Sequence, residues 1–105
     1  MLEITTNIQL DNFVRNHPKA FVVFTRRGSP VHSEIDSFTK QLQDANTSVD
    51  IAECFTDLLT PIGYASSVRI VPSFVAYRDG VQEKLVEGLA VKRAAAACEA
   101  LEFVD

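Results

Sequence analysis

Neither cysteine of this chain stands in a pairing or metal-binding pattern. Cys54 and Cys98 are the two thiols present, far apart and outside any C-x-x-C or zinc-ligand spacing. In a reducing compartment both are expected to be free. No apolar run approaches the roughly 20 residues needed to cross a bilayer, so no membrane partner is expected. The opening MLEITTNIQL has no basic n-region, no signal-length apolar core and no small-residue cleavage pattern, and a cytoplasmic location is the expectation. Positive charge is in the minority: the formal net charge is −4, which argues against non-specific binding to nucleic acid or acidic lipid. Internal repeats, linkers and low-complexity segments are also missing.

What is present suits an ordinary folded domain. The chain has 105 residues, of which 47% are hydrophobic and 23% charged, a balance that supports a packed core and excludes disorder. Residues 1–105 read as one domain.

The order of elements follows from periodicity and turn chemistry. Leu2 to Thr5 suits a short strand. Thr6 or Asn7 is placed to cap a helix carrying Ile8, Leu10, Phe13 and Val14, which closes near Asn16-His17-Pro18. Ala20 to Thr25 is a continuous apolar run, the mark of a strand buried on both faces. Gly28-Ser29-Pro30 stops it and opens a helix, with Ser29 as cap, Pro30 in the first turn, and Val31, Ile35, Phe38 and Leu42 on one face. Val49 to Phe55 is a second buried strand, and Leu58 to Ala65 a short, broken helical stretch. Pro72 to Tyr77 and Val81 to Glu87 flank Asp79-Gly80, a strong hairpin signal. A last helix from Val91 places Val91, Ala94, Ala95, Cys98 and Leu101 together. The fold class is therefore α/β, in the order β-α-β-α-β-α-β-β-α, with parallel crossovers and a closing antiparallel hairpin in one mixed sheet flanked by helices.

Two stretches in this order resemble the thioredoxin family. Arg69-Ile70-Val71-Pro72-Ser73-Phe74-Val75-Ala76-Tyr77-Arg78-Asp79-Gly80 is similar to the family's cis-proline loop, apolar strand and tight turn. Glu87-Gly88-Leu89-Ala90 is similar to its glycine-containing loop ahead of the last helix. The resemblance covers essentially the whole chain and implies a thioredoxin-like fold. In an ungapped register the family's Trp-Cys-Gly-Pro-Cys lies over Arg27-Gly28-Ser29-Pro30-Val31, which puts Gly28 and Val31 at the cysteine positions. A glutaredoxin-like register lays Cys-Pro-x-Cys over Ser29 to His32 instead. Both registers stay open, and neither retains a thiol. The family's buried acid falls at Val22 and its partnering lysine at Glu53, so the proton-transfer groups that the resemblance implies are replaced as well.

Several residues carry weight as candidate site groups. Ser29 and His32, three apart at a helix start, have the types of a nucleophile and base. They equally suit a cap and a surface histidine, and no orienting third group is identifiable, so no catalytic residue is assigned. His17 and His32 lack ligand neighbours, so no metal is expected, and no cofactor is implied. Cys54 on an interior strand and Cys98 on an apolar helix face suit inert packing. Val71 and Pro72 are, by the resemblance, either a surface for an extended peptide or a purely structural loop. Arg26, Arg27, Arg69, Lys92 and Arg93, half of the ten basic residues, fall in or beside three loops that the family brings together. Such a patch suits an acidic partner; a solvated basic face is the plainer account, and Glu34 and Asp36 on the adjoining helix weaken the field.

The expected function is a redox-inactive, adaptor or chaperone-like module that binds a protein partner through Arg26, Arg27, Ser29, Pro30, Val31, His32, Arg69, Val71, Pro72 and Leu89. The alternative is a degenerate thiol-disulfide oxidoreductase or glutathione-binding protein using Cys54. A structural role through self-association is a third reading with no residue in its favour.

Overall fold

The apolar run of the second strand occupies the middle of the sheet, which is why it carries no polar alternation. In a computed structural model, which describes residues 2–103, the strands are β1 (Leu2–Ile4), β2 (Lys19–Thr25), β3 (Asp50–Phe55), β4 (Ser73–Arg78) and β5 (Val81–Glu87). The helices are α1 (Asn7–Asn16), α2 (His32–Ala45) and α3 (Val91–Phe103). The sheet order is β1-β3-β2-β4-β5. β2 runs parallel to β3 and antiparallel to β4, and the β4–β5 hairpin closes the other edge.

Both faces of the sheet are covered. On one, Phe21, Val23, Ile51, Phe74 and Ala76 pack under α2 and α3 against Ile35, Leu42, Ala94, Cys98 and Leu101. On the other, Ile4, Val22, Phe24, Cys54, Val75 and Tyr77 pack with Leu10, Phe13 and Val14 of α1. Burying one such large apolar side chain is worth about 1.5–3 kcal/mol, so β2, with six of seven residues buried, anchors the fold. Local chemistry agrees. Thr6 caps α1, its Oγ1 accepting from the Gln9 N–H at 3.1 Å. Asp79 and Gly80 both have positive φ, 52° and 80°, as a type I′ hairpin turn requires.

Four expectations need correction. The broken helical stretch after β3 forms two short 3₁₀ helices, Thr56–Leu58 and Gly63–Ser67, rather than the single α element of the expected order. α2 begins at His32, and Ser29 is not its cap. The Ser29 Oγ accepts from the Val31 N–H at 3.3 Å, and the His32 N–H donates to the Ser29 carbonyl at 3.2 Å. Residues 29–32 are thus spent on a turn before helical bonding starts with Ile35 N–H to the Val31 carbonyl at 3.0 Å. Ile8 of α1 is exposed, because it lies two residues from Leu10 and so on a different face. In α3 the buried stripe is Ala94, Ala97, Cys98 and Leu101, an i, i+3, i+4, i+7 set, with Ala95 half-buried against the same core, while Val91 in the first turn is exposed.

Candidate functional site

Strand direction decides which loops meet. Because Thr25 pairs with Phe55, Phe24 with Ser73, and Ser73 with Glu87, the segments after β2, after β3, before β4 and after β5 emerge at one end of the sheet. Hydrogen bonds tie them together. The Gly88 N–H donates to the Pro72 carbonyl at 2.8 Å, the Ser73 hydroxyl to the Ile70 carbonyl at 2.7 Å, and the Thr56 hydroxyl to the Thr25 carbonyl at 3.0 Å.

Val71 stands out within this frame. The Val71–Pro72 peptide is cis. The carbonyls of Ile70 and Pro72 on either side are occupied, whereas Val71 neither donates nor accepts a hydrogen bond among the described residues. Val71 is exposed, as are Ile70 before it and Leu89 on the neighbouring loop. The result is a free backbone donor and acceptor bordered by exposed apolar side chains, a combination that suits an extended segment of another chain.

The basic residues separate into different environments. Arg27 Nε lies 2.8 Å from Asp57 Oδ2, and the Arg27 backbone N–H donates to Asp57 Oδ1 at 3.2 Å. That guanidinium holds the Asp57 carboxyl below the usual carboxylate range. Arg93 faces a groove formed with Ala76, Glu83, Lys84, Ala96, Ala97 and Ala100, on the hairpin side of α3. Lys92 is exposed in the first turn of the same helix. Arg26 and Arg69 are exposed and have no partner among the described residues. The positive potential of this end thus rests on Arg26 and Arg69 more than on the full set of five.

Ser29 and His32 do not form a nucleophile–base pair. The Ser29 hydroxyl accepts from the Val31 N–H, and no hydrogen bond joins it to the imidazole among the described residues. Both residues, with Glu3, Arg27, Gly28 and Phe55, line an open depression of about 460 Å3. Pro30 is exposed beside them, and Val31 is half-buried against the α2–α3 core. His17 is structural: its Nδ1 lies 2.7 Å from the Phe13 carbonyl and its ring rests on Phe13 at 4.6 Å.

The thiols are both enclosed. Cys54 and Cys98 are fully buried in the cores on opposite faces of the sheet, and loss of water pushes each thiol up to about 12. Thiolate is the reactive form, so neither is poised for exchange.

One feature of this region escaped the sequence reading. Glu53, at the position where the resemblance placed a lysine, is 2% exposed on the α2 side of β3, and its Oε1 has no hydrogen-bond partner among the described residues. Burial first, and the nearby Asp36 second, raise its carboxyl above the ordinary range. The sole signal in the sequence is a glutamate inside the apolar run Ile51-Ala52-Glu53-Cys54-Phe55.

With the geometry in place, comparison with known proteins bears on the fold. No family model matches the chain, and no curated protein does. Among solved structures it is similar to a Plasmodium falciparum thioredoxin (TM-score 0.83, 14% identity, 94% of this chain and 97% of that one). It is also similar to a mutant thioredoxin from Halobacterium salinarum (0.82, 20%, 99% and 92%) and to oxidised mitochondrial thioredoxin 3 from Saccharomyces cerevisiae (0.83, 17%, 94% and 93%). The fold is thioredoxin-like: a mixed five-stranded sheet between helices. No described helix is long and apolar enough to cross a membrane.

Proposed function

We propose that this protein is a redox-inactive, thioredoxin-fold binding module that holds an extended, acidic segment of a protein partner along Val71. The observation that carries this reading is the free backbone N–H and C=O of exposed Val71, set between occupied neighbours and bordered by Ile70 and Leu89. Arg26 and Arg69 supply attraction for acidic residues of the partner, and the rim formed by Arg27, Ser29, Pro30, Val31, His32 and Pro72 completes the contact face. An adaptor or chaperone-like role follows, because a short main-chain contact with modest apolar flanks favours extended segments over folded surfaces.

Burial of both thiols speaks against exchange chemistry. A reaction through Cys54 alone needs an accessible thiolate, and a fully buried thiol pushed up to about 12 does not supply one.

An amide-resolved NMR titration tests the binding reading. Short unstructured peptides of matched apolar content, one acidic and one basic, are added to the folded protein. The acidic peptide should shift the Val71 amide and its neighbours, and Arg26→Glu with Arg69→Glu should weaken that binding at least tenfold with the fold intact. Equal response to both peptides, or an unchanged affinity in the double variant, overturns the assignment.

A further inference from the structure

Beneath the first turn of α2 lies an acidic group that the binding reading does not use. Glu53 is almost completely enclosed, and its Oε1 is without a partner among the described residues. Glu3 stands at the same register on edge strand β1. From α2, His32 and Asp36 face it, one helical turn apart, and Lys40 a further turn along pairs with Asp36 at 3.1 Å. From β2 the register partner is Val23, which carries no charge. Among the described residues no cation therefore contacts the Glu53 carboxyl directly: Lys40 is committed to Asp36, and His32 acts on both acids. Nor do these groups form a metal-binding set, and none is found among the described residues.

We propose that Glu53 and Asp36 share one proton, and that this proton seats the first turn of α2 on the sheet, making the domain pH-sensitive at the edge of its candidate binding face. Two carboxylates held together, one of them cut off from water, cannot both ionise cheaply. Asp36 is half-exposed and supported by Lys40, so it carries the charge, while the enclosed Glu53 keeps the proton and donates it toward Asp36. The affected turn begins at His32, which lines the depression with Arg27, Gly28 and Ser29. Loosening it therefore reaches the face where the loops converge.

The sign follows from linkage. The folded state holds the Glu53 proton more tightly than the unfolded chain does, so its contribution is fully present below the ordinary glutamate range. That contribution is lost as pH rises through the raised folded value. Asp36 works in the opposite sense, its contribution fading as pH falls through its lowered value. Stability is expected to decline on the alkaline side of the carboxylate range, where most carboxylates are already ionised.

Carboxyl-carbon NMR on the wild-type protein reads the proton directly, and urea unfolding at pH 5.5 and 8.0 reads its consequence. Glu53 should titrate above every other carboxyl group, with amide shifts at the same pH confined to residues 32–36 and their β3 contacts. The urea midpoint should fall between the two pH values, and Glu53→Gln, which mimics the protonated acid, should remove that fall. Asp36→Ala should bring the Glu53 titration back toward the ordinary range. A Glu53 that titrates with the other glutamates overturns the proposal, and so does a Glu53 titration unaffected by Asp36→Ala. None of these readouts involves a peptide ligand, so the result stands apart from the binding reading.

Discussion

Alkylation of Cys54 gives the sharpest test of whether this fold retains thiol chemistry. Its side chain sits between Ile4 of β1 and Phe24 of β2, on the face covered by α1, with no exposure to solvent. At pH 8 a thiol titrating at about 12 is ionised in roughly one molecule in ten thousand, against about one in four for a free cysteine near 8.5. Ionisation alone thus slows reaction by roughly three orders of magnitude, before any allowance for blocked access. The assay follows iodoacetamide modification of each cysteine by peptide mass spectrometry, in the folded protein and in concentrated guanidinium chloride. Cys98 is an internal reference, since it is equally buried and pushed up to about the same value. Both thiols should react at least about a thousandfold more slowly in the folded protein, because modification requires opening of the core. A folded-state rate for Cys54 within tenfold of the unfolded rate, with Cys98 still protected, refutes the reasoning. It would also make a single-thiol oxidoreductase the leading account.

Two further outcomes follow from packing and backbone geometry. Phe74 meets Phe21 in a stacked contact at 6.3 Å and Phe38 edge-on at 5.6 Å, so Phe74→Ala should cost about 3–5 kcal/mol in urea unfolding; a loss under about 1 kcal/mol would mean that the α2–sheet core is not packed as described. Gly28 has a φ of 72° with open space where a side chain would lie, so Gly28→Ala should lower stability by about 1 kcal/mol through backbone conformation alone. A stabilised Gly28→Ala protein in the same measurement would show that the loop after β2 takes another conformation.

The sequence by itself determined the elements whose signals are local. The apolar run of β2, the Asp79-Gly80 turn and the capped start of α1 each depend on a few adjacent residues, and each stands where periodicity and turn chemistry put it. The order of strands and helices implied the mixed sheet, because parallel crossovers and a hairpin leave few alternatives. Where local signals misled, a competing contact explains it. Ser29 has the chemistry of a helix cap, but its hydroxyl is taken by a turn at Val31, and α2 starts later.

Tertiary structure decided everything that depends on partners distant in sequence. The pairing of Arg27 with Asp57, thirty residues on, follows from the register between β2 and β3, and it takes one arginine out of the expected patch. Arg93 borders the groove beside α3 with Glu83 and Lys84 of the hairpin. Val71 gains meaning as a binding position only once its neighbours' carbonyls are seen to be occupied while its own groups stay free. Glu53 is the clearest case. In the sequence, the resemblance sets it where a lysine is expected; in the fold, α2 closes over it with Asp36 and His32, and enclosure by groups far along the chain makes it a buried acid. Periodicity reports what a residue's neighbours in sequence are, whereas desolvation and charge depend on which surfaces meet.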